Sequence, residues 1–241
     1  KKDKCEKLSD FGFIQKCPFH EYYNDFYDVE HVHATHSESL RSGLEWKEWT
    51  NTILSYISKL PIDQREETLN NISQINNQAY SIMLEIERLS FSQDIGESNK
   101  DYRERQNTSI ANQYGGKDGF KEVFDAVTNA IEQNADNEED FKQNSIGNLA
   151  LLNRGINRGQ EYAAAPFAVK SSIIKDKIAM GTFVPTGTKM MFDKSFRTLP
   201  SEMYHWRKDK YSDGKPSDRE VFIEYIIKTI SKCLPYGEEN N

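Results

Sequence analysis

Few cysteines and no long apolar run are the first absences in this 241-residue chain. Cys5, Cys17 and Cys233 are too few and too widely spaced for a disulfide-stapled scaffold, which favours a reducing, cytoplasmic setting. No stretch of 18 or more apolar residues is present, so we expect no membrane-spanning helix and no membrane partner. The first residues lack the basic and then apolar pattern of a secretory leader, so we expect no signal peptide.

Two further absences bear on function. No G-x-x-x-x-G-K-[ST] segment occurs, so we do not expect the chain to hydrolyse a nucleoside triphosphate through a phosphate-binding loop. The chain begins with Lys1 and not with methionine, so we expect it to be a fragment of a longer protein.

Basic charge is scarce overall but concentrated in one stretch. The chain has 31 Lys and Arg against 38 Asp and Glu, a net charge of −7. Residues 142–210 carry 12 basic against 5 acidic side chains, a net charge of +7, whereas residues 1–141 carry 15 against 27, a net charge of −12. This asymmetry favours a local face that binds a polyanion, and ordinary variation in surface charge is the alternative.

Apolar and aromatic residues are nevertheless sufficient for a core. The chain is 37% apolar and has 13 Phe, 12 Tyr and 3 Trp, enough for one large domain or two small ones. Helical spacing of these residues predicts helices over residues 45–60, 63–93 and 118–134. Pro166 at its start and Gly181 at its end predict a helix from Pro166 to about Met180, and a capping box at 217–220 predicts a final helix. The polar stretches 94–117 and 135–144 are predicted to be a loop and a surface linker.

An apolar stripe runs through the predicted helix 63–93. Its members follow one another at steps of three and four residues: Ile72, Ile75, Ala79, Ile82, Ile86 and Leu89. We favour a helix packed in a local bundle, and a dimer-forming coiled coil is the alternative.

Two short segments carry the candidate chemistry. Segment 28–33 (D-V-E-H-V-H) is typical of a strand with an acid–histidine pair, and segment 146–152 (I-G-N-L-A-L-L) is typical of a second strand or a tight turn into one. His31 and His33 share one face of the first strand, and this pair alone is open to a zinc half-site, a pH-sensitive patch or no function. Phosphodiester hydrolysis needs a base for water and a divalent cation for the developing charge, and both segments offer suitable groups.

These segments resemble the HNH, or ββα-metal, nuclease motif, and more closely the C-terminal nuclease domain of GmrSD-type restriction enzymes, which cut modified DNA. Segment 30–32 (E-H-V) matches the acid–histidine–aliphatic strand end of that family. Segment 146–149 (I-G-N-L) and Asn157 match its second strand and its downstream asparagine. The resemblance covers residues 28–36 and about 145–234.

The resemblance implies a role for each matching residue. His31 would be the general base, and Asn148 would hold the loop and orient that base. Glu30 and Asn157 would be ligands of one Mg²⁺ or Mn²⁺ ion, which hard oxygen donors favour. His33 is a candidate for lining the site.

Basic residues beyond the second segment are candidates for contacts with DNA phosphates. They are Arg154, Arg158 and Lys170. A zinc site at Cys17 and His20 is disfavoured, because no second pair of ligands accompanies this one.

The resemblance also implies an α+β fold, a mostly helical domain built around a small ββα-metal centre. Because 113 residues lie between His33 and Gly147, the predicted helices between them would form an insertion between the two motif strands. The predicted division is 1–36, the N-terminal segment with the first motif strand; 37–144, the helical insertion; and 145–241, the second motif with the C-terminal helices, all within one nuclease domain.

The expected function is a metal-dependent endonuclease that hydrolyses DNA, as the effector of a prokaryotic restriction or anti-phage defence protein. The DNA substrate would be modified or unmodified, and a sensor or NTP-hydrolysing domain would lie upstream or in a partner protein. Two alternatives stay open. One is a non-catalytic helical interaction module with a degenerate site, and the other is an RNase that uses the same centre.

Overall fold

The fold is mostly helical, with one small two-stranded antiparallel sheet, and it belongs to the predicted α+β class. The computed structural model describes residues 27–32, 40–132, 146–157, 162, 164–197, 206 and 216–233. The strands are β1 (Tyr27–His31) and β2 (Leu149–Asn153), and a 3₁₀ turn (Ile146–Asn148) leads into β2. The helices are α1 (Gly43–Lys59), α2 (Ile62–Ile75), α3 (Ala79–Arg88), α4 (Asn99–Tyr114), α5 (Gly116–Glu132), α6 (Arg154–Asn157), α7 (Phe167–Ala179), α8 (Thr186–Asp193) and α9 (Asp218–Cys233).

Three predicted helices are confirmed. Helices α1 and α5 lie where the apolar spacing predicts them, and α7 lies where Pro166 and Gly181 predict it. The capping box before α9 is also confirmed: the Ser217 backbone N–H donates to the Glu220 carboxylate at 2.9 Å, and the Glu220 N–H donates to Ser217 Oγ at 3.2 Å. Such local signals act within one helical turn and are therefore legible in the sequence.

The single long helix predicted over 63–93 is wrong, because α2 ends at Ile75 and α3 begins at Ala79. Asn76 causes the break: its backbone is extended, and its Oδ1 accepts a hydrogen bond from the Gln78 N–H at 3.0 Å. An asparagine side chain competes in this way with the helical backbone bonds. Ile72 is nevertheless fully buried against the chain's own helices, as the bundle interpretation requires.

The loop predicted over 94–117 is also wrong, because α4 occupies most of it. Ser98 caps its start by accepting from the Asp101 N–H, and Gly115, with φ +78°, ends it in a left-handed conformation that favours glycine. Only Ile110 and Tyr114 of this helix are buried. A helix with so small a buried face has no apolar stripe to reveal it.

Helices α1 to α5 enclose a first apolar cluster, here called the helical core. Aromatic rings dominate it: the Trp46 and Phe120 rings are stacked with centroids 4.6 Å apart, and Trp49 contacts Phe124 at 4.9 Å. Offset and edge-on ring pairs of this kind add to the stabilisation from burial alone.

A second apolar cluster, here called the strand-side cluster, lies between the sheet and helices α7, α8 and α9. Helix α7 joins the two clusters, since Ala168 and Val169 pack in the helical core while Phe167 and Ile174 pack on the strand side. Trp206 is buried there and its ring contacts those of Phe167 and Phe222, so its role is packing.

Within the described ranges, no helix is both long enough and apolar enough to cross a membrane.

Candidate functional site

The two motif segments lie side by side as the antiparallel strands β1 and β2. Tyr27 is paired with Asn153 and His31 with Leu149, so the register is continuous over five residues. The insertion therefore leaves one strand and returns to its neighbour, as the predicted architecture requires. Helix α6 follows β2 directly and contacts both strands. The local order is strand, strand, short helix.

The acid and the histidine of the first motif lie on opposite faces of β1. Glu30 is only 6% exposed and faces the strand-side cluster, whereas Val29 on the other face is 60% exposed. His31, two residues further along that outer face, is half-buried. Because side chains alternate along a strand, the Glu30 carboxylate and the His31 ring point away from each other.

Glu30 is bonded to a buried lysine. The Lys170 ammonium, fully buried, donates to Glu30 Oε1 at 2.7 Å and to the main-chain carbonyl of His31 at 2.7 Å. Lys170 was predicted to contact DNA phosphates, and such a contact requires a side chain at the surface. The Lys170 side chain is instead fully buried. A charge on the core side of α7 is held instead by a counter-charge and a carbonyl.

Two more polar side chains surround this buried pair. The Lys170 ammonium lies 5.4 Å from the centre of the Tyr162 ring, and Glu132, which accepts from the Phe167 N–H at 3.3 Å, adds a second negative charge nearby. Burial lowers the pKa of Lys170, against the opposing effect of Glu30. Burial and the Glu30 charge together hold the pKa of the Tyr162 phenol well above its usual range.

Side chains from the helices bond to backbone groups at both outer edges of the small sheet. The Val32 N–H donates to the Asn148 carbonyl at 2.9 Å, so His31, one residue earlier, lies in a pair whose backbone groups point away from β2. Lys170 binds the outward carbonyl of His31. On the other edge, Thr188 Oγ1 accepts from the Leu151 N–H at 3.1 Å and donates to the Leu151 carbonyl at 2.8 Å.

The glycine and the asparagine before β2 occupy a tight junction with α9. A side chain at Gly147 would meet Arg219 Cγ at 2.3 Å and Ile223 Cδ1 at 3.0 Å, so only glycine fits without displacement. Asn148 is fully buried at the start of β2. The buried position agrees with a residue that holds the loop, while its effect on His31 remains a prediction.

The start of α6 is fixed by Asn153 and Arg154. Asn153 Oδ1 accepts from the Gly155 N–H at 2.7 Å, which caps this short helix. The Arg154 Nε donates to both Asp28 carboxylate oxygens at 3.0 and 3.2 Å, and both side chains are about 40% exposed. Arg154 therefore lies at the surface, where a phosphate could reach it.

Three predicted site positions lie outside the described part of the structure. They are His33, Arg158 and the side chain of Asn157, whose backbone ends α6. Their roles remain predictions, as does the expected closeness of the His31 ring to the Asn157 side chain.

The described donor groups do not fit a metal site at Glu30. Its Oε1 is bonded to an ammonium that is itself buried, and Asp28, the other acid of β1, is bonded to Arg154. Among the described residues, no group of three or more His, Cys, Asp and Glu side chains could hold a metal ion. A carboxylate that is already bonded to one cation attracts a second cation less strongly.

The burial of Lys170 and the contributions of Tyr162 and Glu132 were not predicted from the sequence. Lys170 follows Phe167 by three residues and precedes Ile174 by four, a spacing that places it on the core side of α7 and could have revealed its burial. Tyr162 and Glu132 carry no comparable local signal, because tertiary contacts bring them to Lys170.

No protein-family model, curated protein or solved structure matches this chain. The resemblance to HNH nucleases therefore rests on the motif residues alone.

Proposed function

We propose that this chain is an HNH-type endonuclease that hydrolyses phosphodiester bonds in DNA, acting as the effector part of a restriction or anti-phage defence protein. The observation that carries the proposal is the antiparallel pairing of the two motif segments, 27–31 with 149–153, across the long helical insertion. This pairing places the two motif segments side by side, as the proposed catalytic motif requires.

His31 is the proposed general base. Its neutral imidazole takes a proton from a water molecule, the water oxygen attacks phosphorus, and the P–O bond to the leaving oxygen breaks. The half-buried outer face of β1 leaves this ring closer to solvent than Glu30. The backbone carbonyl of Asn148, in the turn before β2, accepts a hydrogen bond from the Val32 N–H and so supports the end of β1.

A bound Mg²⁺ or Mn²⁺ ion would offset the charge that develops on the phosphate. Asn157 is the proposed ligand, and its side chain lies outside the described part of the structure. Glu30, bonded to Lys170, does not fit that role, so no step of the proposal runs through it as a ligand. Arg154 is the proposed contact to a DNA phosphate.

The test compares cleavage of plasmid DNA, with and without base modification, by the wild-type chain and two variants. His31→Ala removes the base, and we expect cleavage to fall about 10²–10⁴-fold with little change in thermal stability. Val29→Ala, an exposed neighbour on the same strand face, is the matched control and is expected to cut at the wild-type rate. Each reaction is run with Mg²⁺, with Mn²⁺ and with EDTA.

Three outcomes would revise the proposal. Cleavage that persists in His31→Ala would move the base elsewhere, and cleavage that persists in EDTA would remove the metal. Cleavage of RNA and not of plasmid DNA would identify an RNase.

A non-catalytic interaction module is the second candidate. The pairing of Glu30 with Lys170 favours it, because the acid that the motif uses for metal binding is neutralised here. On this view the wild-type chain cuts neither DNA nor RNA with either metal.

A further inference from the structure

The Lys170 ammonium makes two short hydrogen bonds that reach across most of the chain. Its partners, Glu30 Oε1 and the His31 carbonyl, lie 140 and 139 residues earlier in sequence. Short hydrogen bonds from a charged donor are stronger than hydrogen bonds between neutral groups. The side chain is fully buried, so it can neither reach a phosphate nor exchange protons freely with water.

One of these bonds ends on the residue proposed as the base. The His31 carbonyl points away from β2, because His31 belongs to the pair that makes no ladder bonds. A two-stranded sheet leaves such a carbonyl at its outer edge, beyond the ladder bonds to β2. Lys170 donates to it there, as Thr188 donates to the Leu151 carbonyl at the opposite edge.

The lysine comes from a helix that packs in both apolar clusters. Helix α7 packs in the helical core through Val169 and in the strand-side cluster through Phe167. Glu30 adds a second anchor, since it sets the direction of a flexible ammonium that would otherwise have several rotamers. The position of His31 along its strand is thereby tied to both clusters.

We infer that Lys170 is a positioning residue for His31 and that Glu30 serves as its counter-ion and not as a metal ligand. This inference deepens the proposed nuclease function and rests on it. Lys170 holds the backbone from which the imidazole projects, so it affects the reaction through the geometry of His31 and not through contact with the substrate.

The first arm of the test needs no activity. Backbone NMR of the whole chain is compared for the wild type, Lys170→Met and Lys121→Met, an exposed lysine of α5 that serves as the matched control. We expect Lys170→Met to shift the His31 carbonyl resonance. We also expect it to speed amide exchange at Val32 by about tenfold or more, the effect of losing one charge-assisted hydrogen bond.

The double variant Glu30→Gln/Lys170→Met removes both charges and leaves no ion buried alone, so it serves if the single variant does not fold. Unchanged His31 and Val32 signals in a folded variant would overturn the inference.

The second arm separates positioning from metal binding. If Lys170 positions the base, Lys170→Met lowers kcat by about 10–100-fold, while KM and the metal concentration for half-maximal cleavage stay constant. Glu30→Gln, which still accepts a bond from Lys170, has a smaller effect on kcat and leaves the metal requirement in place. A rise of about tenfold or more in the metal requirement of Glu30→Gln would show that Glu30 is a ligand and would overturn the inference.

The two arms also distinguish the inference from the proposed function. If the wild type cuts no nucleic acid, the nuclease proposal fails and the catalytic part of the inference fails with it. The NMR arm then still decides whether Lys170 fixes the backbone at His31.

Discussion

The helical core and the strand-side cluster both contain packed aromatic rings but differ in how much charge they bury. The interior of the helical core is aromatic and aliphatic, with the rings of Trp46, Trp49 and Phe120 at its centre. The strand side, by contrast, contains most of the buried charge among the described residues: Glu30, Lys170, Lys194 and Asp218. Apolar burial stabilises both regions, and directional bonds between buried charges are added in the second.

The second ion pair on the strand side resembles the first. The fully buried Lys194 ammonium donates to Asp218 Oδ2 at 2.7 Å, and Arg197 Nε donates to Asp218 Oδ1 at 2.8 Å. Asp218 opens α9, the helix that packs against Gly147. Lys194 itself has φ +46°, a strained backbone for a residue with a side chain.

The contrast indicates a division of labour. Buried ion pairs are weak sources of net stability, because desolvation offsets most of the attraction, but they are costly to break from one side. Their directional bonds restrict how the surrounding segments can be arranged. The strand side is where both motif segments lie, so this restriction falls on the candidate site.

The largest expected loss of stability comes from the helical core. Phe120 is 1% exposed and its ring packs against those of Trp46, Trp49, Tyr114 and Phe124. We expect Phe120→Ala to lower the free energy of unfolding by about 3–5 kcal/mol, measured by urea denaturation. A loss below about 1 kcal/mol would contradict the view that aromatic packing stabilises this region.

Breaking the second ion pair tests the strand side directly. Asp218→Asn leaves the Lys194 ammonium buried without its counter-charge, so we expect a loss of about 3–5 kcal/mol in the same measurement, in the lower part of this range because Asn still accepts a bond. The double variant Lys194→Met/Asp218→Asn removes both charges of the pair, while Arg197 keeps its bond to the Pro216 carbonyl at 3.0 Å, so it should recover most of the loss. Equal losses in the single and double variants would mean that the charges are not what matters here.

The smallest effect is a dependence on alkaline pH. Burial raises the pKa of the Tyr114 phenol far above its usual range, against the effect of its hydrogen bond with Thr50. The unfolded chain loses this proton near pH 10 while the folded chain keeps it, so stability is full below that pH and falls as the pH rises. We expect this phenol to lower the free energy of unfolding by about 1.4 kcal/mol per pH unit above about pH 10.

Two phenylalanine variants measure this slope in the two regions. Unfolding free energies at several alkaline pH values should fall less steeply for Tyr114→Phe than for the wild type. Tyr162→Phe on the strand side should reduce the slope as well, since the pKa of that phenol is also raised. An unchanged slope in Tyr114→Phe would show that this phenol titrates freely in the folded chain.

Part of the fold was predictable because its causes are local. The apolar period of α1 and α5, the proline before α7 and the capping pair Ser217 and Glu220 act over a few neighbouring residues. Local signals that oppose the period misled the prediction: Asn76 divides a continuous apolar stripe, and the polar sequence of α4 conceals a helix. In the first case side-chain bonding to the backbone prevails over periodicity, and in the second capping and packing of one small face suffice.

The candidate site shows the same division more sharply. The sequence alone indicates Glu30, His31 and Asn148 as residues of interest and predicts that their segments are strands. The pairing of those strands and the bond from Lys170 to Glu30 depend on residues 118 or more positions apart, which are brought together when helices α1 to α7 pack. Packing is cooperative and involves the whole interior at once. For this reason no local sequence pattern predicts which carboxylate a buried ammonium binds.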